Sequence, residues 1–114
     1  MANTFTKTTK SSLVTADVTS SATTNVVTVV GGATLIVLSV LISNKTGSSA
    51  NANVYLLPSS GDAVFLIRNA PVPAGSSLEI IAGNKIIVTS SDVIRASSDT
   101  ASALDITVSY LQQT

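Results

Sequence analysis

The stretch VVTVVGGATLIVLSVLI, Val26 to Ile42, runs for 17 residues without a charge and admits two readings, a membrane-spanning helix or two β-strands joined by a glycine turn. A helix of that length would reach about 26 Å at about 1.5 Å per residue, short of a hydrocarbon core about 30 Å thick. Val26, Val27, Thr28, Val29, Val30, Thr34, Ile36, Val37, Val40 and Ile42 are β-branched. Such side chains are stiff at χ1 and pack well on a pleated surface, which favours strands. Gly31 and Gly32 fall between the two halves as punctuation. Lys7 and Lys10 before the stretch and Lys45 after it supply little of the charge asymmetry that orients a span. A secretory signal fits no better, because the run starts far from the N-terminus and no basic residues directly precede it. The stretch therefore reads as two strands, and no membrane association is expected.

Outward from it, the same grammar repeats. Strand signals cover Asn53 to Leu57 and Ala63 to Arg68, with Pro58 and Gly61 marking the turn between them. NAPVPAGSS then reads as an extended connection, since Pro71 and Pro73 cannot donate to a central ladder. LEII and KIIVTS flank AGN, a loop of hairpin type at Gly83 and Asn84. DVIRAS and LDITVSYL follow. In the last of these, Leu104, Ile106, Val108 and Tyr110 alternate with Asp105, Thr107 and Ser109, the period of a half-buried antiparallel strand. No segment carries a helical period, and strand candidates recur every 8 to 12 residues or so. The expected fold is all-β: an antiparallel β-sandwich, of jelly-roll or immunoglobulin-like type, with about eight short strands over residues 25–114.

Residues 1–24 differ. They are crowded with Thr and Ser and carry few large apolar groups, so they read as an extended N-terminal arm: either a loosely organised lead-in or a segment that orders on a neighbouring subunit. Phe5, Leu13, Val14 and Val18 are the residues with which such an arm would grip a sheet edge.

Composition narrows the function. The 114 residues suit one domain; apolar residues make up 45% and charged residues only 11%. Six basic and six acidic residues cancel, which removes the electrostatic footprint of a nucleic-acid binder. Cysteine and histidine are both absent. With them go disulfides, thiolate metal sites, the commonest general base and the serine triads built on it.

The remaining candidates for chemistry are sparse. Asp62 and Asp92 sit in turns and read as turn-stabilising residues rather than catalysts. No calcium loop, phosphate loop, G-x-S-x-G or S-x-x-K pattern occurs. Arg68 and Lys85 read as strand cations that are solvated or guard an edge. Asn44, Lys45 and Thr46 match a glycosylation triplet of a kind that recurs by chance. Four aromatics, Phe5, Tyr55, Phe65 and Tyr110, are few for a base-stacking platform or a sugar groove. No catalytic residue, cofactor or metal site is expected.

One strand breaks the sandwich rule. In TLIVLSVLI, Ile36, Leu38, Val40 and Ile42 alternate with Leu35, Val37 and Leu41, so both faces are apolar. Strict alternation would place Leu35, Val37 and Leu41 on an outer face, where the arm or another subunit would cover them. A homo-oligomer is the expected consequence.

Three stretches carry a family resemblance: MANTFTKTT at the start, ISNKTGSSANANVYLL in the middle, and VFLIRNAPVPAGSSLEIIAGNKIIVTSSDVIRASSDTASALDITVSYLQQT to the end. The last weighs most, with its P-x-P-x-G at Pro71, Pro73 and Gly75, the Asp92 turn and the closing strand from Leu104 to Leu111. In these the chain resembles small virion structural proteins of tailed phages that infect cyanobacteria and other marine bacteria. The resemblance implies a non-enzymatic, multi-copy component of the particle, assembled in the host cytoplasm. It would be a capsid decoration (cement) protein or a neck or tail component, with major capsid or neck and tail proteins as partners. A receptor- or glycan-binding module of a tail fibre or adhesin is the alternative.

Overall fold

A computed structural model describes residues 3–20, 23, 25–81 and 83–114. These residues form nine strands and no helix: β1 (Asn3–Lys10), β2 (Asn25–Thr28), β3 (Thr34–Asn44), β4 (Ala50–Leu57), β5 (Val64–Val72), β6 (Ser77–Glu79), β7 (Ile86–Thr89), β8 (Val93–Ser98) and β9 (Leu104–Gln113).

Pairing is nested about the β4–β5 turn. β4 pairs with β5, β3 with β6 and β7, β2 with β8, and β1 with β9, always antiparallel. The chain is thus one long ribbon doubled back on itself. Rolling that ribbon adds two further antiparallel pairings, β3 with β9 and β4 with β8. Two sheets result: a front sheet in the order β1-β9-β3 with β6 and β7 both on β3, and a back sheet β2-β8-β4-β5. This is the jelly-roll arrangement, which decides between the two sandwich types expected from sequence.

The core lies between the sheets. Val37, Val40, Ile42, Val54, Val72, Val88, Leu104 and Val108 are fully enclosed there. The opening stretch behaves as two strands: β2 and β3 are joined at Gly32, whose φ of +82° suits glycine, and Ala33 N–H donates to Val30 C=O at 3.2 Å. The turn carries the chain from the back sheet to the front sheet rather than closing a hairpin.

The doubly apolar strand has a local cause. β3 and β9 lose register between Val37 and Ser39, leaving Leu38 as the extra residue of a β-bulge. A one-residue insertion reverses the phase of every later side chain. Leu35 and Val37 before the bulge, and Val40 and Ile42 after it, therefore all face the core, each no more than 3% exposed. Leu35 and Val37 are corrected from an outer face to the interior, while Leu41 does face outward, half-open at 36%.

The bulge also explains a broken edge. β6 pairs with β3 at Leu41 to Ser43 and β7 pairs with β3 at Thr34 to Val37, so the two are pieces of one interrupted strand and not the hairpin expected around AGN. Ala82 of that loop lies outside the described residues, and Lys85 precedes β7 instead of sitting within it. At the interruption the Glu79 carboxylate accepts from Val40 N–H and Ile81 N–H, both at 3.0 Å, and from the Ser39 hydroxyl. Those groups thereby keep partners where the ladder stops.

The N-terminal segment is likewise corrected, although Met1, Ala2, Ser21, Ala22 and Thr24 lie outside the described residues. β1 pairs along its whole length with β9 of its own sheet. Leu13 is 1% exposed within the core, and its N–H donates to Leu104 C=O at 2.8 Å. Val18 is 2% exposed. Two large apolar side chains are enough to seat the segment once the end of β9 offers it hydrogen bonds. Pro71 is also accommodated within a strand, because β5 is the outer strand of its sheet and needs no ladder donor on its free side.

Candidate functional site

Two surfaces stand out, one on each sheet. On the front sheet, Phe5 faces Leu111, Leu111 faces Ile36, and Ile36 faces Ile87 in successive register pairs. Their chain neighbours Leu35, Val37, Val88 and Tyr110 point inward, so these four form an apolar row across the outer face of four strands. Phe5 is 77% exposed and Ile87 56% at the two ends of the row, whereas Ile36 and Leu111 in its middle are half-buried. Polar rows border it: Asn3, Gln113, Thr34 and Thr89 on one side, Lys7, Ser109 and Ser39 on the other.

The back sheet carries a cleft of about 220 Å³ on its outer face. Asn53 of β4 and Ser97 of β8, register partners, form its floor, and Thr15 to Val18 form one wall. Phe65, Arg68 and Asn69 of β5 form the other. Pairing of β4 with β5 slips on both sides of Val54, and these irregularities re-aim the side chains of β5. Asn69 sits in the left-handed region at φ 51°, which Asn tolerates, and its N–H donates to Asn53 Oδ1 at 2.9 Å. The Arg68 guanidinium lies 4.9 Å from the centre of the Phe65 ring, and Tyr55 meets that ring edge-on at 5.1 Å. Asp17 is held below the usual carboxylate range by the Thr19 N–H, then by the Thr19 hydroxyl, with the field of Arg68 adding to both.

Asp92 and Asp105, away from the cleft, serve the fold. Asp92 accepts Thr89 N–H at 2.9 Å and Ser59 N–H at 2.8 Å, which in that order depress its pKa and tie the β7–β8 turn to the β4–β5 turn. Asp105 accepts Lys45 Nζ at 2.9 Å and Ser12 N–H at 2.8 Å, and is lowered by both. Asp62 is exposed in the β4–β5 turn. Asn44 is 3% exposed, and its amide nitrogen donates to Ser48 C=O and Val72 C=O, so the triplet it begins is not an accessible glycosylation acceptor in the folded chain. Among the described residues no three acidic groups gather as metal ligands.

Of the interface residues expected from sequence, Phe5 and Leu41 are exposed on the outer front face and Val14 on the segment after β1, while Leu35, Val37, Leu13 and Val18 are buried. Sequence reading missed Ile36, Leu111 and Ile87; alternation in Ile86 to Thr89 and the sidedness of β9 could have found the last two. No protein-family model matches the chain, and no curated protein matches it.

Proposed function

We propose that the chain is a non-enzymatic structural component of a virion of tailed-phage type, present in many copies as a capsid decoration protein or a neck or tail component. The observation that carries the assembly part is the row Phe5, Leu111, Ile36 and Ile87, an apolar stripe that a solitary domain gains nothing by displaying. The virion part rests on the sequence resemblance. A second copy of the chain is the occupant that fits the stripe. The row crosses the whole sheet, so a two-fold related copy lays the same four residues against it, Phe5 over Ile87 and the converse. The net charge of zero offers no long-range repulsion between copies. Major capsid or neck and tail proteins would then bind elsewhere on the assembled unit.

Quantitative mass spectrometry of gradient-purified particles from cells carrying this gene tests the reading. The chain should co-purify with the particle, in hundreds of copies for a decoration protein or in a handful for a neck component. A chain expressed during infection but absent from the particles would overturn it.

A further inference from the structure

We infer that the back-sheet cleft is a binding site for a single neutral, polyhydroxylated ring of the monosaccharide class. The inference is independent of assembly through the front sheet, because it rests on different strands and the opposite face.

Phe65 lines this cleft and Tyr55 braces its ring edge-on, a pairing that counting aromatics along the chain does not show. Arg68 makes no hydrogen bond among the described residues, yet stacking on Phe65 holds its guanidinium, with five N–H donors to offer. Asp17 receives both Thr19 bonds on Oδ1, which leaves Oδ2 to spare. Asp99 likewise receives Asn51 N–H at 2.8 Å and the Thr100 hydroxyl at 3.0 Å on Oδ1, again sparing Oδ2. The Asn69 carboxamide has no hydrogen bond among the described residues, while its backbone is fixed by Asn53. Acceptors and donors therefore converge on one small space, held by three strands rather than by loops alone.

The pattern of charge selects the ligand. An anion entering the cleft meets Asp17 and Asp99, and a cation meets Arg68. A neutral ring bearing hydroxyls, each both donor and acceptor, satisfies carboxylate, guanidinium and carboxamide at once. The volume suits one small ring, below the range of about 300–1,000 Å³ typical of drug-sized pockets. An open cleft of this size implies weak binding, in the millimolar range, that many copies on one particle would raise through avidity.

The test is a titration of the isotope-labelled full chain with glucose, galactose, mannose and N-acetylglucosamine, followed by amide chemical shifts, with glucuronate and glucosamine as charged counterparts. The expected result is saturable shifts from at least one neutral sugar, confined to residues 15–18, 53, 65–69 and 97–99. Arg68→Ala and Asn69→Gly, the latter keeping the positive φ, should each weaken that binding by about tenfold while the remaining shifts show an intact fold. No saturable shift with any neutral sugar, shifts centred elsewhere, tighter binding of either charged counterpart, or unchanged affinity in both variants would overturn the inference. None of these outcomes depends on whether the chain is a virion component.

Discussion

Asp92 shows how one side chain fastens two turns of this fold. Its two oxygens accept backbone donors from Ser59 and Thr89, and no water-facing route replaces them at 8% exposure. Asp92→Asn would keep one acceptor but set an NH₂ against the other N–H, a loss of about 1–3 kcal/mol measurable by urea unfolding. The same carboxylate gives a pH dependence. Its folded pKa, like that of Asp105, lies below the ordinary 3.8, so the unfolded chain binds more protons and stability rises with pH. That contribution is fully present above the unfolded value and disappears as pH falls through the folded one. Thermal scans should therefore be level from neutrality to about pH 5 and drop steeply below about pH 4, with a shallower drop for Asp92→Asn. Leu13 is the corresponding apolar case: Leu13→Ala should cost about 2–5 kcal/mol, because the site is enclosed by the sandwich.

Among the elements, β3 and β1 separate what sequence discloses from what it hides. The short β-branched segments, their turn residues and the clean alternation of β9 were legible, since each is a local property. The bulge at Leu38 was not, because an inserted residue is defined by the partner strand, and TLIVLSVLI reads equally well with or without it. That single slip moved Leu35 and Val37 from surface to core. Val37→Asp should accordingly unfold the chain, at about 4 kcal/mol or more, whereas Leu41→Asp should leave circular dichroism and melting nearly unchanged. The fate of β1 was hidden for a related reason: a Thr-rich segment has no apolar face of its own and becomes a strand only where β9 offers a free edge. Deleting residues 2–20 removes that strand together with Leu13 and Val18, so the truncated chain should lose its cooperative thermal transition rather than remain folded without an arm. The cleft was equally illegible, since Asp17, Asn53, Arg68 and Ser97 come from four distant places in the chain.

For the molecule as a whole, the jelly roll divides labour between its two outer faces. The back sheet presents a polar cleft, and the front sheet presents the apolar row through which copies are proposed to associate. The fold does not by itself dictate either role, because the same architecture serves many ends. Side-chain pattern does, and the row is the part most open to experiment. Phe5 and Ile87 stand proud of the sheet without supporting the core, so Phe5→Ser with Ile87→Thr should leave the fold and its melting temperature intact. Each such side chain is worth about 1.5–3 kcal/mol when fully buried, so the double change should weaken association by about a hundredfold or more. Sedimentation velocity of the full chain and this double variant over a concentration series is the most direct measurement. The wild-type chain should sediment as a dimer or larger species without detergent, and the variant as a monomer. A wild-type chain that stays monomeric at the highest concentrations, or a variant that associates just as well, would contradict assembly through the front sheet.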